Sequence, residues 1–341
     1  MTGLADKIDR SCVFYAGNTV TAKSVSRRSG ATCVTRLITR GKDVSTAFSV
    51  LDQHLEAPRP GMPQGRLVLS RLAPGRSVIG ASAPSIKMVL EGEELYQVDG
   101  RTLRVEPGQF LYLDAGASCL GTNKVDTLGI CLSLPDGWRG PGGTDGHDPV
   151  LGRALVLSAR TSAIGRTLEH YGREIARDLS KGAALAPEIV ARAGAAVREP
   201  LADSRAAIDA LKVVKASTRQ SLFQRLERAR GFLHAHDSRA VTLGELATVA
   251  NLSQFHLARY FRLAFGRPPI AYHRALRLAR AAEYLAHDEG TIAEAAEIAG
   301  YSDSVSLCHA FRRHYGKAPR AWLGDVLKAC AAPGAGEPLA A

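Results

Sequence analysis

The chain has 341 residues, of which 45% are hydrophobic and 23% are charged, so it is long enough for two globular domains with separate cores. No run of about 18 apolar residues occurs, and we expect no contact with a membrane. The six cysteines are scattered without a CxxC pair, which argues against a zinc site or a disulfide framework, and we expect no cofactor. The net charge of +11 favours an anionic partner, nucleic acid first.

Residues 60–135 have the pattern of a β domain. Short apolar runs alternate with turn signals, among them Asp99-Gly100, a strong signal for a two-residue hairpin. The runs are RLVLSRL (66–72), IKMVLEG (86–92), EELYQV (93–98), RTLRV (101–105) and QFLYLDA (109–115). This spacing predicts a small antiparallel barrel or sandwich, to which we expect the first 60 residues to add strands.

The segment 151–212 has a helical pattern. Apolar residues recur every three or four positions and form one stripe, which consists of Ile164, Leu168, Tyr171, Ile175 and Leu179. Two interpretations remain open: the stripe packs on the β domain, or it also pairs with a second copy of the chain in a homodimer. Pro200 is expected to break or restart the helix in residues 187–212, because proline lacks the backbone N–H.

The C-terminal part contains one amphipathic pattern twice. Residues 253–266 read SQFHLARYFRLAFG, and residues 303–316 read DSVSLCHAFRRHYG, 50 positions later. A short helical stretch precedes each copy, LGELATVANLS (243–253) in the first and AEAAEIAGYS (293–302) in the second. A short helix, a tight turn and a longer helix form the helix-turn-helix plan, which we predict at residues 243–265 and 292–315.

The turn residues support this plan. Asn251 and Gly300 stand where the chain leaves the first helix, and both residue types tolerate left-handed backbone angles. Ser253 and Asp303 are suitable N-caps for the longer helices. Two glycines, Gly266 and Gly316, follow the ends of the longer helices, and two prolines, Pro269 and Pro319, are placed to begin the next ones.

Each longer helix has two faces. The inner faces agree between the copies and carry the pairs Leu257 with Phe261 and Leu307 with Phe311, which we expect in the core. The outer faces mostly differ, and they are the predicted base-reading surfaces. Their residues are Gln254, Phe255, Ala258 and Arg259 in the first copy, and Ser304, Val305, Cys308 and His309 in the second. The predicted phosphate contacts are Arg262, Arg312, Arg313 and Lys317.

Six arginines without an intervening acid also indicate phosphate contact; they are Arg259, Arg262, Arg267, Arg274, Arg277 and Arg280. Residues 270–287, which join the two copies, have the pattern of one continuous helix. A rigid connector of this kind would hold the two recognition helices for entry into adjacent major grooves, which lie roughly 34 Å apart on one face of DNA.

From about Phe223 to Leu323 the sequence resembles the DNA-binding domain of AraC/XylS-type transcription regulators. The segments that carry the resemblance are LGELA, LSQFHLARYFRLAFGRPPIAYHRALRLARAAEYL and IAEAAEIAGYSDSVSLCHAFRRHYGKAPRAW. It implies that both units bind double-stranded DNA, that the first recognition helix dominates base reading, and that RNA polymerase is a partner. The family often has an aromatic residue where Leu307 stands and arginine where His309 stands, so the base-reading prediction rests more on the first helix than on the second.

The resemblance also implies that the N-terminal region is a cupin-like domain that binds an effector of unknown identity or mediates dimerisation. VDGRTLRVEPGQFLYLDAG is similar to the cupin strand–turn–strand pattern. A metal-dependent cupin enzyme needs clustered histidines, and none occurs between His54 and His147. A metal-independent cupin-like enzyme and a non-specific architectural DNA-binding protein remain as alternatives to a transcription factor.

We therefore predict a multidomain α+β protein that is not an enzyme. Its expected parts are a cupin-like β-barrel with helices (1–150), a helical dimerisation segment (151–212), a linker (213–218), an all-α DNA-binding domain (219–330) and a flexible tail (331–341). The first residues, MTGLADKIDR, lack the apolar core of a signal peptide, which favours the cytoplasm. Of the two kinds of regulator, we expect an activator, although no residue pattern distinguishes it from a repressor.

Overall fold

The computed structural model describes residues 13–16, 19–22, 40–43, 47–53, 65–81, 83–135, 137–141, 148–287 and 290–331. Most of the first 60 residues and of the predicted tail lie outside these ranges. The chain divides into two compact units, Met1–Ala206 and Ala207–Ala341. Within the described ranges, no helix is both long enough and apolar enough to cross a bilayer.

The first unit is built on β-sheets. Its strands are β1 (Val13–Ala16), β2 (Thr19–Ala22), β3 (Arg40–Asp43), β4 (Phe48–Gln53), β5 (Leu67–Leu72), β6 (Gly75–Gly80), β7 (Ser85–Glu91), β8 (Glu94–Val98), β9 (Arg101–Val105), β10 (Gln109–Leu113), β11 (Ser118–Asn123), β12 (Thr127–Ser133) and β13 (Ala154–Ser158). Seven of them form a sheet in the order β13-β10-β7-β12-β5-β4-β3, and four form a second sheet in the order β6-β11-β8-β9. All pairs are antiparallel except β4 with β5.

The two larger sheets share one apolar core. Val89 and Leu111 of the seven-stranded sheet belong to the same buried cluster as Tyr96 and Val98 of the four-stranded sheet. Hydrogen bonds among the described strands do not close these sheets into a barrel. The region is therefore a β domain, as predicted, while the expected closed barrel is not confirmed.

The hairpin between β8 and β9 confirms the prediction made from Asp99-Gly100. Val98 pairs with Arg101, so the loop has two residues. Asp99 has φ +49° and Gly100 has φ +72°, the pair of positive angles that a type I′ turn requires. The strand β13 corrects the expectation that the chain is helical from residue 151 onward. Its residues ALVLS are all buried, and β13 pairs with β10 at the edge of the large sheet.

The predicted helical stripe lies on α1 (Ala163–Arg177), except for Leu179, which follows the helix. Leu168 and Ile175 are fully buried, and Ile164 is nearly so. Gly172 marks the contact with the sheet, because a Cβ there would lie 3.1 Å from Leu90 and 3.2 Å from Ile130. These buried side chains of the stripe therefore pack on the sheet, which is the first of the two interpretations.

The helix α2 (Ser180–Ala210) overturns the prediction for Pro200. It runs through both Pro187 and Pro200 without a break. A proline inside a helix costs about 3 kcal/mol, whereas each fully buried aliphatic side chain contributes about 1.5–3 kcal/mol. Val197 and Leu201 flank the proline and are 1% and 0% exposed, so their burial offsets the lost hydrogen bond.

The second unit is all helical in the part that the structure describes. Its helices are α3 (Ala216–Ala235), α4 (Leu243–Ala250), α5 (Gln254–Phe265), α6 (Pro269–His287), α7 (Ile292–Ile298), α8 (Ser304–Tyr315) and α9 (Pro319–Ala331). The predicted continuous connector is confirmed as α6, which is about 28 Å long at 1.5 Å per residue. The fully exposed Val214 lies in the short connection that precedes α3.

Candidate nucleic-acid interface

The first helix-turn-helix unit consists of α4, a turn and α5. Thr242 caps α4, since its hydroxyl accepts a hydrogen bond from the Glu245 N–H while the Glu245 carboxylate accepts one from the Thr242 N–H. Asn251 ends α4 with left-handed angles, φ +50° and ψ +48°, as predicted. The Ser253 hydroxyl then accepts a hydrogen bond from the His256 N–H at 3.2 Å and begins α5. Helix α5 ends at Gly266, which has φ +75°.

The second unit, α7 to α8, repeats these contacts. Thr291 and Glu294 form the capping box of α7. Gly300 supplies the left-handed turn at φ +67°, and the Asp303 carboxylate accepts a hydrogen bond from the Ser306 N–H at 2.6 Å to begin α8. The Tyr301 N–H donates to the Ala296 carbonyl, in the same way as the Leu252 N–H donates to the Ala247 carbonyl. The predicted caps and turns are confirmed in both units.

Two capping boxes were missed in the sequence, although each has a readable signal. Thr242 with Glu245, and Thr291 with Glu294, show the T-x-x-E spacing in which the two residues satisfy each other's exposed backbone groups. Hydrogen bonds from the Thr242 N–H and hydroxyl lower the pKa of Glu245 to about 2, and Arg239 adds to this shift. The N–H and hydroxyl of Thr291 likewise lower the pKa of Glu294.

In each helix-turn-helix unit, the inner face of the longer helix packs in the core. Leu257 and Phe261 of α5 are fully buried, and so are their counterparts Leu307 and Phe311 of α8. Phe261 packs edge-on against Phe265 with ring centroids 4.6 Å apart, and Phe311 lies 4.4 Å from Tyr315. The predicted core face is therefore confirmed in both copies.

The outer faces are open to solvent. Phe255 is 71% exposed and Val305 is 62% exposed, at equivalent positions of the two helices. Such exposure of a large apolar side chain leaves its surface for a partner. Of the other predicted base-reading residues, Gln254, Arg259 and His309 are exposed, whereas Ala258, Ser304 and Cys308 are half-buried.

The predicted phosphate-binding residues are exposed cations. Arg262 lies in the last turn of α5, and Arg312 and Arg313 lie in the last turn of α8. Lys317 pairs with Asp325 of α9, so a phosphate would have to replace this carboxylate. The guanidinium of Arg259 lies 5.5 Å from the ring centroid of Tyr260, within the range of a cation–π contact.

Two arginines of the acid-free window have a structural role instead. The Arg277 Nε donates to the Ala299 carbonyl at 2.8 Å, and the Arg280 Nε donates to the Ile298 carbonyl at 3.1 Å. Arg280 also forms an ion pair with Asp237 at 2.9 Å. The inference of phosphate contact from the whole window was therefore too broad, because these partners are distant in sequence and local charge counting does not detect them.

A model of a helix-turn-helix domain family matches residues 246–325. An AraC-like transcription regulator of Streptomyces lividans is 33% identical over 96 residues, which make up 28% of this chain and 30% of the relative. The MmsAB operon regulatory protein of Pseudomonas aeruginosa is 27% identical over 101 residues, 30% of this chain and 33% of the relative. The matches thus cover about a third of the length of these curated relatives.

A solved structure, the C-terminal domain of the response regulator AraT from Geobacillus stearothermophilus, is 29% identical to this chain. The match covers 30% of this chain and 84% of that one, with a TM-score of 0.29. The family match, the curated relatives and the order of caps, turns and inner-face residues all fall on the same part of the sequence. Residues 246–325 therefore match a helix-turn-helix domain family, and this part of the chain is similar to AraC-type regulators.

Proposed function

We propose that the protein is a sequence-specific transcription regulator that binds double-stranded DNA through α5 and α8. One observation carries the proposal: the two helices share their buried faces, while their exposed faces differ and present Phe255 and Val305 to solvent. A solvated face has no use for large apolar side chains, whereas thymine methyl groups and sugars do bind such groups. Two copies of one scaffold with different outer faces fit two different half-sites.

The roles of the side chains follow from their chemistry. Arg259 is suited to a bidentate pair with guanine, and Gln254 to adenine or a phosphate. Arg262, Arg312 and Arg313 lie one turn further along their helices, where they would bind phosphates and fix the register. The N-terminus of α5, which is capped by the neutral Ser253, adds backbone amides that attract anions.

Selection from a random DNA pool tests this function. The full-length chain is used to enrich binding sites, and its affinity for an enriched site is then compared with that for a scrambled site at the same salt concentration. We expect a ratio of about 10³ or more, as is typical of specific regulators. A ratio near one would support a non-specific architectural protein instead.

The division of the whole chain into functional parts is also a proposal. We assign residues 1–150 to a cupin-like domain that senses a small effector, residues 151–212 to dimerisation and residues 219–330 to DNA binding, in a cytoplasmic activator that contacts RNA polymerase and is not an enzyme. In support, the interior of the β domain contains charged side chains: Lys87 is 6% exposed and Glu94 is 3% exposed. Of the dimerisation stripe, Tyr171 and Leu179 are only half-buried and would supply the contact with the second copy.

A further inference from the structure

The connecting helix α6 carries three polar residues on one face. His273, Arg277 and Arg280 are spaced four and three residues apart, so they lie in a row along the helix. His273 is 2% exposed, and the other two are half-buried. A buried polar row on a helix requires hydrogen-bonding partners, because each unsatisfied buried group costs about 1–3 kcal/mol.

Part of this row binds the connection between α3 and α4, which leads directly into the first helix-turn-helix unit. The His273 Nε2 donates to the His236 carbonyl at 3.0 Å. The Arg280 Nη1 donates to the Asp237 carboxylate at 2.9 Å. The chain just before α4 is therefore tied to the connector at two successive residues.

The same row binds the second unit. Arg280 Nε donates to the Ile298 carbonyl, and Arg277 donates to the carbonyls of Ala299 and Gly300. Ile298 is the last residue of α7, and Ala299 and Gly300 directly follow it, where carbonyls have no partner within the helix. The Arg277 guanidinium also lies 4.3 Å from the ring centroid of Tyr301. Arg280 thus joins the connection before α4 to the C-terminal end of α7 with one guanidinium.

Beside these arginines, the backbone of the second unit touches the backbone of the connection that precedes α4. A Cβ on Gly300 would overlap the Ser238 carbonyl oxygen and would lie 2.8 Å from the Arg239 Cα. The turn of the second unit therefore packs directly on the connection that precedes α4. Residues 236–239, His273, Arg277, Arg280 and residues 298–300 form one contact surface, the interunit junction.

We infer that the interunit junction fixes the distance and angle between α5 and α8, and so determines the spacing of the two half-sites that the protein accepts. This inference rests on the proposed DNA-binding function. Inserting one base pair between half-sites shifts them by about 3.4 Å and rotates them by roughly 34°, since B-DNA has about 10.5 base pairs per turn. A rigid pair of recognition helices cannot follow such a displacement, whereas two loosely joined units can.

The test measures discrimination between spacings by the full-length chain. The probes are a DNA site enriched with the unmodified chain and the same site with one base pair inserted between the half-sites. For the unmodified chain we expect the Kd to rise at least about tenfold on insertion, within the range of typical coupling between sites. In Arg280→Met this ratio falls towards one, because the bonds to both units are lost while the aliphatic stem remains. Arg274→Met, which alters an exposed arginine of the same helix, leaves the ratio unchanged.

A second variant tests the same ion pair with a smaller change, in case Arg280→Met does not fold. Asp237→Asn weakens the ion pair with Arg280 without removing a guanidinium, and we expect an intermediate ratio. Circular dichroism and the urea midpoint establish that each variant is folded. Unchanged spacing ratios in folded Arg280→Met and Asp237→Asn would overturn the inference, and so would equal losses on both probes.

Hydrogen exchange separates failure of the inference from failure of the proposed function. Without DNA, peptides from α5 and α8 are expected to open as one unit in the unmodified chain and separately in Arg280→Met. Independent opening in the unmodified chain contradicts the junction even if DNA binding is specific. If no DNA site is enriched but α5 and α8 open together as expected, the proposed function fails. The interunit junction is then still supported as a rigid contact.

Discussion

The two helix-turn-helix units solve the same local problem with different residues. Each needs a left-handed residue between its helices, and the first uses Asn251 while the second uses Gly300. Asn251 is exposed, so its side chain has room. Gly300 abuts the Ser238 carbonyl, where no side chain fits. The difference shows that backbone angle alone permits either residue, and that the neighbouring unit decides between them.

The outer faces differ for another reason. Phe255 and Arg259 of the first unit correspond to Val305 and His309 of the second, while the core residues between them agree in type. Packing restricts the inner positions to large apolar side chains, whereas the exposed positions have no constraint from the fold. A difference confined to positions outside the buried core is what two different target half-sites would produce.

The largest expected effect is on the free energy of unfolding. It differs between the two turns, because Gly300 abuts the backbone of a distant segment whereas Asn251 is exposed. Gly300→Ala combines a strained left-handed angle with overlap of a backbone carbonyl, so we expect a loss of about 2–5 kcal/mol in unfolding free energy. Asn251→Ala meets only the angular strain, for which we expect about 1–2 kcal/mol. Urea unfolding, followed by Trp322 fluorescence in a Trp138→Phe background, measures both, because Trp322 packs on Phe311 of the second unit. Equal losses from the two variants would contradict the steric role of the junction.

The next effect concerns base reading, and it ranks the two recognition helices. Arg259→Ala is expected to weaken binding to the enriched site by about 1–3 kcal/mol, since a bidentate base contact is lost. His309→Ala is expected to cost less, about 0.5–1.5 kcal/mol, the net value of one ordinary hydrogen bond. Fluorescence anisotropy with labelled DNA measures both, and a larger loss from His309→Ala would reverse the ranking.

Arg262→Ala is the matched control for base reading. It removes an exposed arginine of the same helix that is assigned to a phosphate. We expect weaker binding to enriched and scrambled DNA alike, with a salt slope reduced by about one. A loss confined to the enriched site would move Arg262 to the base-reading group.

The smallest expected effect is a difference between the two capping boxes in how much each makes stability depend on acidic pH. The pKa of Glu245 is lowered to about 2, so its contribution to stability is complete above about pH 4.5 and is lost as the pH falls towards 2. The pKa of Glu294 is shifted in the same direction, but its additional donor is the neutral Tyr284 hydroxyl, whereas Glu245 is bonded by the charged Arg239. Urea midpoints between pH 5 and pH 3 are expected to depend less on pH in Glu245→Gln than in Glu294→Gln. Unchanged pH dependence in both variants would exclude these carboxylates as the source.

Sequence patterns predicted the C-terminal helical part of the chain, which contains both helix-turn-helix units, far better than the N-terminal β domain. Ser253, Asp303, Gly266 and Gly316 stand at the helix ends where they were expected, because a cap is a contact within four residues. Pro200 was wrongly expected to break a helix, since the burial of Val197 and Leu201 is a property of the packed domain. For the β domain, the sequence predicted strands and the β8–β9 hairpin, but it did not reveal the separation into two sheets, which depends on pairing between distant segments.

The sequence by itself determined the repeat, the turns, the caps and the division of each recognition helix into an inner and an outer face. These features depend on backbone angles and hydrogen bonds among close neighbours, which the order of residues specifies directly. Only the tertiary structure decided that Arg277 and Arg280 bind the ends of α7, and that Gly300 must be glycine. Those assignments depend on groups about 20 to 60 residues away, such as Asp237 and Ser238, and folding alone brings them into contact.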